Sequence, residues 1–270
     1  MNNINKKYHN LKNFSDSFKN AKPFPHVILD DFLNEKYFSN LKKYFNEYSN
    51  TNLDGRNFNS NAEKSKWISL NSNLPEEISK IISTLNDKMW ISNLIRFTGL
   101  KSLNATSVGN KLLANYHEMK PGGVLTSHVD HSSEPVTGMP HILNIILFIS
   151  PQWESNYGGA TLFYDQWGKK VIKKIEYIPN RGIIFLHNPY SFHGVECLNL
   201  NHNYLRRSIY VDYYSDSFQP YKNFNLNSPN HWFEHGTTFK LENFIDYLRP
   251  SHFNYTKALI KYNINRILSN

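Results

Sequence analysis

The stretch "TSHVDHS", Thr126 to Ser132, brings together three side chains able to bind a metal: His128, Asp130 and His131. His128 and Asp130 stand two residues apart, so in a β-strand both point to one face and reach one ion. The triplet alone carries little weight. With 12 histidines and 22 acidic residues in 270, about one His-x-Asp/Glu is expected by chance, and one occurs. Its surroundings must decide.

A second histidine, His193, follows 65 residues later in "HNPYSFHGVECL". Arg206 comes 13 positions after it and opens the run "RRSIYVDYY". Strand alternation puts Arg206, Ser208, Tyr210 and Asp212 on one face, and Arg207, Ile209 and Val211 on the other. A barrel interior rejects an arginine unless an anion meets it. Two histidines and a carboxylate on one side of a metal, with an arginine near enough to hold a carboxylate ligand, form the donor set of non-haem Fe(II) oxygenases. Such a set leaves positions open for a bidentate 2-oxo acid and for O2.

The elements that must position these residues are mostly short and β-like. "HVILDDF" reads as a strand, followed by a helix with Phe38, Leu41 and Phe45 on one side and Asp31 or Asn34 as its cap. One helix fits residues 74–100, with Pro75, Glu76 and Glu77 in its first turn and Gly99 at its exit. From Leu112 onward the texture changes to eight runs separated by turn residues: "LLANYHEM", "GVLTSHVD", "HILNIILFIS", "GATLFYD", "KKVIKKIEYI", "RGIIFLH", "HGVECL" and "RRSIYVDYY". Eight such strands predict a two-sheet jelly roll, mainly β with flanking helices. Gly158-Gly159 reads as a turn, and Trp153 as packing beneath the loop around it. "LENFIDYLRP" and "YTKALIKYNINRIL" read as C-terminal helices. No repeat or low-complexity linker divides the chain, so residues 1–270 are expected to form a single domain. Its core runs from about 23 to 214, with a C-terminal helical extension over 215–270.

Composition bounds the partners. The single cysteine, Cys197, rules out an internal disulfide framework and zinc-thiolate sites, and suits a reducing cytoplasm. The N-terminal residues "MNNINKKYHNLKNFSD" have no apolar leader, and no run approaches the ~18 apolar residues of a membrane span. Order is expected everywhere except at the extreme N-terminus. The formal charge is +8, which favours anionic partners, yet the lysines come as scattered pairs. A duplex binder needs a continuous basic stripe. Moreover, the loops "HSSEPVTGMPH" and "QWESNYGG" carry Glu134 and Glu154 but no cation. A small-molecule or peptide substrate is expected, and no duplex nucleic acid.

Four stretches now carry a resemblance: "PFPHVILDDFL", "NYHEMKPGGVLTSHVDH", "LNIILFISPQWESNYGGATLFY" and "NRGIIFLHNPYSFHGV…RRSIYVDYY". From about Pro23 to Tyr214 the chain resembles the prolyl 4-hydroxylase-type branch of the Fe(II)/2-oxoglutarate-dependent dioxygenases. The resemblance implies a double-stranded β-helix core, with iron held by His128, Asp130 and His193. It implies Arg206 as the partner of the far carboxylate of 2-oxoglutarate, with Arg207 as the competing choice. Tyr116, Asn144 and Ser208 are implied as further cosubstrate contacts. The gap from His193 to Arg206, which contains "LNLNHN", is longer than is usual in the family. The implied reaction hydroxylates a C–H bond of a small-molecule or peptidyl substrate, a prolyl peptide among them, and releases succinate and CO2. Ascorbate is implied as a reductant. Related halogenases lack the carboxylate ligand, so Asp130 argues against halogenation. Two other readings of a His-bearing jelly roll remain open: a cupin-like metal-dependent isomerase and a non-catalytic binding module. His131 is expected at the pocket mouth, with His141, His187 and His202 as structural or solvent-facing residues.

Overall fold

In "HILNIILF" every side chain but those of His141 and Asn144 is apolar, and every one of the eight is buried. A strand reads this way only when both of its faces are covered. The computed structural model describes residues 1–47, 55–59, 63–69, 74–105, 115–130, 134, 139–188, 190–199 and 204–215. Among these residues the strands are β1 (His26–Leu29), β2 (Gly55–Phe58), β3 (Glu63–Ser69), β4 (Asn104–Ala105), β5 (Tyr116–His128), β6 (His141–Phe148), β7 (Thr161–Tyr164), β8 (Val171–Ile175), β9 (Gly182–Leu186), β10 (His193–Val195) and β11 (Arg206–Tyr214). They are hydrogen-bonded in the order β1, β9, β6, β11, β5, β10, β7, β8, and every pairing is antiparallel. The expected jelly roll with flanking helices is the observed fold.

Two apolar layers explain the burial of β6. Leu143, Ile145 and Leu147 pack outward against α2 (Glu35–Glu47), α3 (Glu76–Leu85) and α4 (Lys88–Thr98), through residues such as Leu41, Phe45, Ile81, Trp90 and Leu94. Ile146 and Phe148 point the other way, into the barrel, with Phe163, Ile183 and Phe185. Asn34 caps α2, accepting from the Tyr37 N–H at 2.8 Å. The expected single helix over 74–100 is instead two helices. The first ends at Leu85 with Asn86 as its C-cap, and Asp87 caps the second, accepting from the Met89 N–H at 2.8 Å. Gly99 closes α4 in the left-handed region, at φ 79°.

The N-terminal segment departs from expectation in the direction of order. Ile4, Tyr8, Leu11 and Phe18 are buried against the helical layer. Asn93 ties the segment down: its amide accepts from the Leu11 N–H and donates to the Tyr8 carbonyl. A short helix, α1 (Ser15–Asn20), completes the segment. The hairpin β2–β3 was not foreseen either, and it extends the sheet by pairing with β5. The proposed C-terminal helices at 241–250 and 255–268, with His131 and His202, lie outside the described residues. No helix among those described is long and apolar enough to cross a membrane.

"LLANYHEM" and "GVLTSHVD", read as two strands, form the single strand β5 from Tyr116 onward. β5 turns a corner at Gly122 (φ 72°), so its first half pairs with β11 and its second half with β10. That corner delivers His128 directly opposite His193, its register partner. Gly194 permits the approach, since a Cβ there would lie 2.5 Å from the Leu125 carbonyl oxygen. Gly194→Ala is therefore expected to destabilise the fold by about 1–3 kcal/mol, the usual cost of overpacking. An unchanged melting temperature would show that β10 can move away from β5.

Candidate metal centre

His128 ends β5, and Asp130 follows it just beyond the strand. In His128, Nδ1 lies 2.9 Å from the Thr126 carbonyl, and in His193, Nδ1 lies 3.0 Å from the Ser191 carbonyl. A carbonyl can only accept, so each Nδ1 carries a proton, and in the neutral ring Nε2 is then the atom with the free lone pair. Both Nε2 atoms face Asp130: His128 Nε2 is 3.5 Å from Oδ1, and His193 Nε2 is 3.4 Å from Oδ2. One ligand atom from each of the three residues lies within 4.8 Å of the other two. Two ligands bonded at ~2.1 Å in adjacent positions of one ion stand ~3 Å apart, so this set fits a single metal. Burial pushes the His193 imidazole down to about 4, against the opposing pull of Asp130. It is thus neutral near pH 7, the form that ligates.

Asp130 is held from behind. Asn144 Nδ2 and the Tyr210 hydroxyl both donate to its Oδ2, each at 2.9 Å, and the Tyr210 hydroxyl also lies 3.1 Å from His193 Nε2. The Asn144 carbonyl oxygen meets His141 Nε2. His141 in turn stacks on His187 at 4.2 Å, so both of these histidines are structural and buried. Asn144 therefore supports the carboxylate and does not line the cavity, which corrects the expected cosubstrate contact. Its place in β6, opposite Asp212, aims it at Asp130.

The cavity, about 220 Å³, lies between these ligands and Arg206. Arg206 is 3% exposed. Its Nε donates to the Gly159 carbonyl at 2.8 Å, and its Nη2 lies 3.4 Å from Thr161 Oγ1. The guanidinium rests over the rings of Phe148 and Tyr177, at 5.0 and 4.9 Å. Among the described residues no carboxylate forms an ion pair with it. Desolvation pulls its pKa down to about 10, so it remains a cation at neutral pH. Ser208 lines the same cavity one pleat further along β11. Trp153 donates to the Gly158 carbonyl and packs on Tyr177, closing the loop around Arg206.

Arg207 lies on the opposite face. Its Nε is 3.4 Å from Glu118 Oε1, and its guanidinium covers Phe45 at 4.6 Å. Tyr116 belongs to that face too, which corrects its expected place beside the cosubstrate. It is fully buried against Phe45 and Trp67, and its hydroxyl donates to Glu118 at 2.6 Å. The neighbouring His117 lines the cavity instead, paired in register with Ser208 and stacked on Tyr210 at 5.6 Å. Tyr210, His117, Thr161 and Lys66 are cavity residues to which the sequence reading assigned no role. For Tyr210 the signal was present, because alternation from Arg206 puts it on the cavity face.

Residues 113–214 match the family model of the 2OG-Fe(II) oxygenase superfamily. This match bears out the resemblance read from the four sequence stretches. No curated protein matches the chain. Among solved structures, the fold is similar to a prolyl hydroxylase from Trichoplax adhaerens, solved in complex with a hypoxia inducible factor oxygen degradation domain peptide fragment. That pair shares 18% identity at a TM-score of 0.55, over 77% of this chain and 91% of the other. A Pseudomonas putida prolyl-4-hydroxylase is similar at 13% identity and TM-score 0.54, over 76% and 98% of the two chains. The non-heme alpha ketoglutarate dependent epimerase SnoN from nogalamycin biosynthesis is similar at 10% identity and TM-score 0.52, over 76% and 80%.

Proposed function

We propose that this chain, whose residues 113–214 match the 2OG-Fe(II) oxygenase family model, hydroxylates a C–H bond of a small-molecule or peptidyl substrate, converting 2-oxoglutarate to succinate and CO2. One observation carries the reading. A buried arginine with no counter-anion among the described residues shares a cavity with two imidazole donors and a carboxylate. An isolated buried charge is costly, and a dicarboxylate reaching from a metal to Arg206 would satisfy it.

His128, Asp130 and His193 would hold Fe(II), which when bound supplies the activation of O2. The protein's own work is orientation and exclusion of water. Arg206 would hold the far carboxylate of 2-oxoglutarate by charge-assisted hydrogen bonds, and its guanidinium already rests over the Phe148 and Tyr177 rings. The Nδ1–H bonds to Thr126 and Ser191 keep both imidazoles turned inward. Ile68, Met119, Leu125, Ile146 and Val195 line the remaining wall and limit water beside the reacting atoms.

Incubating the protein with Fe(II), 2-oxoglutarate, ascorbate and a panel of metabolites and prolyl peptides tests the reading. Succinate formation together with a product heavier by one oxygen atom is the expected result. Succinate with a product of unchanged mass would move the enzyme to epimerisation. Metal binding without any 2-oxoglutarate turnover would leave the cupin-like isomerase or a binding module in its place.

A further inference from the structure

Asp130 Oδ2 is the acceptor of two side-chain donors, Asn144 Nδ2 and the Tyr210 hydroxyl, each at 2.9 Å. A carboxylate oxygen offers two lone-pair directions, so two donors saturate it. Oδ1 accepts from no side chain of this pair, and faces His128 Nε2 at 3.5 Å. Neither donor is free to leave. Asn144 is fully buried, with its carbonyl engaged by His141. The ring of Tyr210 is held parallel to His117, 10° between planes.

We infer that Tyr210 and Asn144 are positioning residues that keep Asp130 a one-oxygen ligand, binding metal through Oδ1 alone. The inference rests on the metal reading of His128, Asp130 and His193. Its chemical consequence is a coordination count. A chelating aspartate would take a position that a bidentate 2-oxo acid and O2 need between them. Two hydrogen bonds on Oδ2 keep that position open. The hydroxyl of Tyr210 is itself close enough to the ligand atoms, 2.9 Å from Oδ2 and 3.1 Å from His193 Nε2, that direct ligation is the rival role. As a fourth protein ligand it would close the same position that the hydrogen bond keeps open, so the two roles have opposite effects.

The test uses the full chain loaded with Co(II) or Fe(III), and needs no substrate. Wild-type protein is expected to bind Co(II) and to show no short metal–carbon shell of a chelating carboxylate in X-ray absorption. Tyr210→Phe retains the ring on His117 and removes only the hydroxyl. It is expected to weaken Co(II) binding about tenfold, the lower end for outer partners of metal ligands. The double variant Tyr210→Phe/Asn144→Ala is expected to gain the metal–carbon shell while circular dichroism remains that of the wild type. Unchanged affinity in Tyr210→Phe, or a chelating shell already present in the wild type, overturns the inference. So does a visible phenolate-to-Fe(III) absorption band that Tyr210→Phe abolishes, because it makes Tyr210 a ligand. Failure of the wild type to bind any metal would refute the metal reading itself. Metal binding without 2-oxoglutarate turnover would refute only the proposed reaction.

Discussion

Arg206→Ala weakens 2-oxoglutarate binding about a hundredfold, and Arg207→Ala leaves it within about twofold. The two arginines are chain neighbours, yet β11 sends them to opposite faces. Arg206 lines the cavity, and Arg207 reaches Phe45 and Glu118. Removing one partner of a desolvated, hydrogen-bonded charge pair costs about 3 kcal/mol, which is about two decades in affinity. The stability effects run the other way. Arg207 and Glu118 are 8% and 14% exposed, and Glu118 also accepts from the Tyr116 hydroxyl. Arg207→Ala strands that carboxylate and is expected to cost about 3 kcal/mol of stability. Arg206→Ala removes a cation that has no ion-paired carboxylate among the described residues, so its melting temperature should change less. A 2-oxoglutarate titration and a thermal melt of each variant give a crossed pattern. If Arg207→Ala lost the cosubstrate and Arg206→Ala lost the stability, the facing of β11 would be reversed.

That facing was legible because "RRSIYVDYY" alternates with different chemistry on its two sides, an arginine, serine, tyrosine and aspartate against arginine, isoleucine and valine. "NYHEM" offers no such contrast. Tyr116 with Glu118, and His117 with Met119, each pair one larger apolar or aromatic group with one polar group. Only the pairing with β11, which sets His117 against Ser208, decides which pair faces inward. The misplacement of Tyr116 follows from this. For Asn144 the alternation of β6 cannot say which neighbour its amide meets. That depends on Asp130 lying beyond the end of β5, where no period applies. The hairpin β2–β3 escaped notice because Arg56, Asn57, Lys64 and Lys66 leave it no apolar rhythm. Two misses had visible signals. Ile4, Tyr8 and Leu11 recur at the spacing of one buried helical face, and the Asp87 cap stands inside the stretch read as one helix.

Replacing Asp130 by alanine is expected to reduce 2-oxoglutarate turnover to background and to weaken metal binding by more than a hundredfold. The argument starts from charge. Of the three converging groups only Asp130 can carry a negative charge, because a histidine side chain is either neutral or cationic. The variant would leave two imidazoles to hold a dication. Outer partners of ligands already cost about 10–100-fold when removed, and a first ligand carrying the only negative charge must exceed them. The loss would not come from collapse of the cavity alone. Asn144 Nδ2 and the Tyr210 hydroxyl lose their shared acceptor, at about 1–3 kcal/mol for each buried group left unpaired. Asp130→Asn separates these effects, since its amide oxygen can still accept while the charge is gone. Metal titration and succinate release, measured on both variants beside their melting curves, decide the matter. Weakened metal binding in Asp130→Asn at near-wild-type stability would assign the loss to charge. Sustained succinate release in Asp130→Ala would remove Asp130 from the metal centre.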